Sequence, residues 1–264
     1  LAQGGSPPAQ GGFGIAQDGT HSPAWWRECF RLLLKQPVLK SLGIPAFMAL
    51  FFVGYFLLAD HPLFAVTVMP DTAVDRLIGF QPWALWLYGS LWVYVSLAPG
   101  LIGERRELVA FAIAALGLSL AGMAVFFLWP TATPVSAVDW ARYPAYAFLK
   151  NADRARNACP SLHVAFSVFS GICIARVLRR IHAPAAVRLL NAAWALAIVY
   201  STLATKQHVA LDGVAGALLG GEAALLYLRY LRRRAPAPAA ARATAPPAAP
   251  MLIQRVRRLR AGRD

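Results

Sequence analysis

The sequence predicts an all-α fold, a polytopic membrane bundle of about six transmembrane helices. Three observations carry that prediction. Hydrophobic residues make up 58% of the 264 and charged residues only 14%, where a soluble domain carries roughly 25% charged. Mean hydropathy is +0.50. Several apolar runs reach about 20 residues, the length that crosses a bilayer.

Taken in order, residues 1–24 are rich in Gly, Gln, Pro and Ala and read as a disordered tail. No cleavable signal peptide is expected, since the first apolar run starts far in and lacks a small-residue cleavage site. Residues 25–42 mix Trp with Arg and Lys and read as an amphipathic segment along the cytoplasmic interface. The membrane domain, 43–231, holds spans at about 43–60, 82–101, 108–129, 161–180, 186–206 and 209–230. Residues 232–264 form a basic, Ala/Pro-rich cytoplasmic tail. In the last span, Gly216 and Gly220 stand four apart and predict close helix packing. Glu222 lies in the same span, where an ionised carboxylate is costly, so it should face the bundle interior or be protonated.

Charge then sets the topology. With both termini cytoplasmic, the inner segments hold fourteen Lys and Arg, from Arg27 to Arg234. The outer face holds six: Arg76, Arg142, Lys150, Arg154, Arg156 and Lys206. That is a positive-inside bias. It also accounts for the net charge of +14 without a nucleic-acid partner, for which no recognition motif is present. Trp83, Trp86, Trp92, Trp129 and Trp140 lie near span ends, as aromatic belts do.

Two junctions between spans carry chemistry. In Ser201-Thr202-Leu-Ala-Thr-Lys206-Gln-His208-Val-Ala-Leu-Asp212 a histidine and an aspartate stand four apart, one helical turn. Asp212 can hold one ring nitrogen of His208 and leave the other free to react. In Cys159-Pro160-Ser161-Leu162-His163 a Pro-Ser pair opens an apolar run, as at a helix start. The predicted topology brings His163 and His208 to the same outer face. Five of the six outer cations lie before His163 or beside His208, where fixed positive charge stabilises a transferring phosphoryl group.

These two motifs together resemble the type 2 phosphatidic acid phosphatase superfamily, whose pattern is KxxxxxxRP, then PSGH, then SRxxxxxHxxxD. The resemblance covers about 82–222. It implies that His208 is the nucleophile, forming a phosphohistidine, with Asp212 orienting its ring. It implies that His163 is the general acid for the leaving oxygen and then the base for the incoming hydroxyl. Ser161 and the first amides of the fourth span would cradle phosphate oxygens, and neither metal nor other cofactor is implied.

Three positions depart from the pattern. Leu162 stands for the glycine of PSGH, and Thr202 for the arginine of the third motif. The stretch Trp129–Pro134, where the first motif is sought, has neither Lys nor Arg. The expected substrate-binding set is therefore Ser161, Thr202, Lys206, Lys150, Arg154 and Arg156, the four cations supplying the missing charge. A PSLH-type second motif and an arginine-less third motif resemble the inositol phosphorylceramide synthase branch, which passes a head group to a lipid hydroxyl. The implied substrate is a lipid phosphate or phospholipid; the Ala/Arg/Pro-rich composition points to a bacterial cytoplasmic membrane, and the charge bias puts the site on its extracytoplasmic face. Two other readings of the histidine pair stand beside this one: haem ligation, and a non-enzymatic channel or carrier. A histidine–aspartate zinc site is a further alternative.

Overall fold

The computed structural model describes residues 24–146 and 156–234. A short helix, α1 (Trp25–Leu34), leads into α2 (Pro37–Asp60), α4 (Ala84–Gly100) and α5 (Arg105–Leu128), with a five-residue helix, α3 (Ala73–Leu77), before α4. The second half is α6 (Leu162–Arg180), α7 (Ala185–Ala204) and α8 (Ala210–Arg234). The six predicted spans are thus the six long helices. Five of them are long and apolar enough to cross a membrane, and α4, at 17 residues, spans about 25 Å at 1.5 Å per residue. This is an all-α integral membrane protein.

Local chemistry sets the ends. The expected interfacial stretch divides at Gln36, which is left-handed (φ 56°), and Pro37 starts α2 from there. The first long helix therefore begins six residues before the span expected at 43. On α1, Trp26, Phe30 and Leu34 are exposed while Leu32 is buried, an apolar outer face suited to lipid. Buried Lys40 donates from Nζ to the Leu32 and Gly100 carbonyls, both at 2.6 Å. It thereby satisfies the open C-terminal ends of α1 and α4.

Helix α6 is the centre of the bundle. It packs on α8, α7 and α4, while α5 packs on α8 and α2 on α5 and α4. In its most apolar window 61% is buried, against 17% in α2. The α6–α8 contact is close because Gly216 and Gly220 face the Ser161 and Ala165 carbonyls of α6, and a Cβ at either would overlap them. Buried Gly216, Gly220, Ala224 and Tyr227 form the inner stripe of α8. Glu222 follows Gly220 by two residues, about 200° around a helix of 3.6 residues per turn. It is exposed on the outward face, so the expectation that it turns inward is corrected by helical phase.

The loops at the end of the bundle where α6 begins are tied together. Thr67–Val68 (β1) pairs in parallel with Thr131–Ala132 (β2), and Ala132 bridges to Arg156. Thr131 Oγ1 accepts from Cys159 N at 2.8 Å, fixing the segment that enters α6. At the opposite end, buried Glu107 of α5 pairs with Arg176 and Arg180 of α6 and accepts from Tyr227 of α8 at 3.5 Å.

Candidate active site

Ser161 is the N-cap of α6, its hydroxyl accepting from Val164 N at 3.3 Å. That places His163 in the first turn. On the other side, α7 ends at Ala204 and Lys206 takes a left-handed conformation (φ 56°). The Thr202 carbonyl accepts from both Gln207 N and His208 N at 3.1 Å. This tight reversal holds His208 two residues ahead of α8, in the turn, instead of on the helix as its spacing to Asp212 implied. Asp212, in the first turn of α8, accepts from Val209 N at 3.0 Å through Oδ2, the carboxylate half of a capping box. Ser161 N donates to the Asp212 carbonyl at 3.0 Å, so the two sequence motifs are joined through their backbones.

The histidines meet. His163 Nδ1 lies 3.1 Å from His208 Nε2. His208 Nδ1 stands 3.6 Å from Asp212 Oδ2, beyond hydrogen-bond length. Both His208 Nδ1 and Asp212 Oδ1 are buried without a hydrogen-bond partner. The far nitrogen of His163, Nε2, is 2.7 Å from the hydroxyl of Tyr88 on α4, and the two rings lie 5.0 Å apart. Tyr88 is buried. Sequence reasoning missed it because a tyrosine inside an apolar span carries no local signal; only the packing of α4 on α6 brings it there.

The histidine pair divides two cavities of opposite character. On the His163 side lies an apolar cavity of about 150 Å³, lined by Phe51, Phe52, Phe56, Tyr88, Trp92 and Leu162 among others. Leu162, at the glycine of the family pattern, fits because Gly122 of α5 leaves it room; a Cβ there would overlap its side chain. On the His208 side lies a polar cavity of about 320 Å³, whose lining includes Asp75, Arg76, Thr133, Ser136, Lys206 and His208.

The remaining expected residues take distinct places. Lys206 lines the polar cavity and donates from Nζ to the Asp75 and Ile78 carbonyls at 2.8 and 2.6 Å. It clips α3 to the His208 turn. Asp75 completes the clip, accepting from Ala210 N at 2.8 Å. Buried Thr202 donates its hydroxyl to Val199 O at 2.7 Å within its own helix. Arg156 donates to Ala59 O at 2.9 Å, at the end of α2. Lys150 and Arg154 lie outside the described residues, as do 1–23 and 235–264 of the two tails. Burial, followed by the neighbouring Asp212 carboxylate, pushes the Cys159 thiol up to about 11, so it stays protonated at neutral pH and is no nucleophile. Among the described residues no three His, Cys, Asp or Glu side chains gather to hold a metal ion.

A histidine pair in direct contact, His208 buried and His163 half-buried, thus stands at the starts of two adjoining helices of a membrane protein, one ring beside a carboxylate. A family model described as the PAP2 superfamily matches residues 63–226, more than half of the chain, and the chain belongs to that superfamily. Comparison with curated proteins and with solved structures returned no match. Superfamily membership supports phosphatase or phosphotransferase chemistry in general.

Proposed function

We propose that this protein is a lipid phosphatase that works through a phosphohistidine on His208. The observation that carries the proposal is the direct His163–His208 contact, with Asp212 behind His208. To attack phosphorus, His208 needs its lone pair at Nε2, hence its proton at Nδ1, facing Asp212. Protonated His163 gives the proton at Nδ1 to the leaving oxygen as the O–P bond breaks and the N–P bond forms. Neutral His163 then takes a proton from the incoming hydroxyl as the N–P bond breaks, and phosphate or a phosphate ester leaves. A neutral imidazole is a weak acid, so the first step uses the imidazolium.

The Tyr88 hydroxyl suits this cycle because it can both donate and accept. It accepts from His163 Nε2–H when the ring is charged or acts as base, and donates to Nε2 in the resting tautomer. Tyr88 is therefore a positioning residue, fixing which nitrogen faces the substrate. Bound substrate must separate the two rings, since phosphorus enters between them.

The apolar cavity at His163 favours an amphiphilic substrate whose leaving alcohol carries the lipid. It equally favours a lipid alcohol as the incoming hydroxyl, which is the head-group transfer reading. The fourteen-to-six charge asymmetry supports cytoplasmic termini and an extracytoplasmic site in a bacterial inner membrane. Purified protein would be given a panel of lipid phosphates and phospholipids, with and without a lipid alcohol. Phosphate release absent in His208→Ala is the expected result. A new phospholipid formed only with the alcohol would establish the transferase. Neither product from any substrate would sink both.

A further inference from the structure

Of the expected cations among the described residues, Arg156 is at the end of α2 and Lys206 is bonded to two carbonyls. The polar cavity beside His208 holds another. Arg76, on α3, lines it, and its bond to the Asp71 carbonyl is long at 3.4 Å, so a stronger acceptor can replace it. Arg76 is held in place by its neighbour: Asp75 Oδ2 accepts from Thr72 N and Oγ1 at 2.8 and 2.7 Å, and Oδ1 accepts from Ala210 N. The second observation is independent. Thr133, which also lines this cavity, is 93% buried, its relative exposure being 7%, and its hydroxyl has no hydrogen-bond partner. An orphaned buried hydroxyl is costly and is tolerated where a ligand completes it. Asp71 and Asp75 also line the cavity. Their charges offset those of Arg76 and Lys206, so an anion would be held by directed bonds more than by net charge.

We infer that this cavity is the phosphoryl seat, with the Arg76 guanidinium and the Thr133 hydroxyl as its donors. The inference rests on the phosphotransfer reading above for its substrate, a phosphate monoester or diester. Thr133 falls within Trp129–Pro134, the stretch that lacks the Lys and Arg of the first motif, and Arg76 reaches the site from a different loop. A guanidinium suits the role because it presents paired N–H donors to phosphate oxygens.

The test measures KM, kcat and inhibition by inorganic phosphate for Arg76→Ala, Arg76→Lys and Thr133→Val, together with protection of purified protein from thermal unfolding by inorganic phosphate. Arg76→Ala should raise KM and the phosphate inhibition constant about 10-fold or more, as loss of a charged hydrogen bond does. Arg76→Lys should recover part of this, and Thr133→Val should raise both several-fold. Because Arg76 is exposed, its variants should melt like wild type without phosphate. Turnover by wild type, with both constants in the variants unchanged within about twofold, overturns the seat and leaves the reaction standing. No turnover on any substrate, with phosphate protecting wild type but not Arg76→Ala, supports the seat and removes the reaction reading. Equal protection, or none in either protein, overturns the seat.

Discussion

The two ends of the bundle handle buried polarity in opposite ways. At the Glu107 end, that carboxylate takes Arg176, Arg180 and Tyr227 from two other helices. Lys40 there closes two helix ends. At the histidine end, Thr133 Oγ1, both amide atoms of Gln207, His208 Nδ1 and Asp212 Oδ1 are buried without partners. Among the described residues only Ser170 Oγ joins them. Buried polar groups are ordinarily paired, and here the unpaired ones are concentrated at the histidine end, where the proposed phosphoryl seat lies.

Variants can break that contrast. His163→Ala should lower turnover by about 10²–10⁴-fold, the usual contribution of a general acid and base, while the melting temperature in detergent stays near wild type. A large loss of stability would place His163 among the structural groups instead. Glu107→Ala should do the converse. It leaves one half-buried and one exposed guanidinium group unpaired and should cost about 1–3 kcal/mol, below the full buried-pair figure because Arg176 and Arg180 side chains are 29% and 41% exposed. Thermal unfolding should detect this, with kcat for the surviving folded protein unchanged.

Tyr88→Phe sharpens the division within the histidine end. It should lower kcat about 10-fold and displace the pH profile of kcat/KM, with KM little changed, because one hydrogen bond orienting His163 is lost. An unchanged pH profile would make Tyr88 a packing residue. The smallest expected effect is at Cys159. With its thiol held up near 11 by burial and Asp212, it should resist alkylation at pH 7–8, and activity should survive thiol reagents. Rapid labelling at that pH would show the segment entering α6 to be more open than its packing implies.

Much of the fold was legible because apolar runs are a local property. Each of the six predicted spans became a long helix, and the Pro160-Ser161 start and the Gly216–Gly220 contact both appear as their residue types imply. The shift of the first helix to Pro37 follows from a left-handed Gln36, which an apolar window does not register. In the site, spacing brought out His163, His208 and Asp212, which the structure gathers. It did not show that His208 sits in a turn, that Arg156 belongs to the end of α2, that Tyr88 touches His163, or that Asp75 and Arg76 line the cavity beside His208.

By itself, then, the sequence determined a helical membrane bundle with two histidines at one mouth, because hydropathy, helix starts and the His-x-x-x-Asp spacing act over a few residues. Tertiary structure alone decided what surrounds them. Tyr88, Thr133 and Arg76 come from separate segments, and only the packing of α4 on α6 and the loop ties to β2 and α8 bring them to the histidines. Long-range proximity of that kind leaves no periodicity in the chain to read.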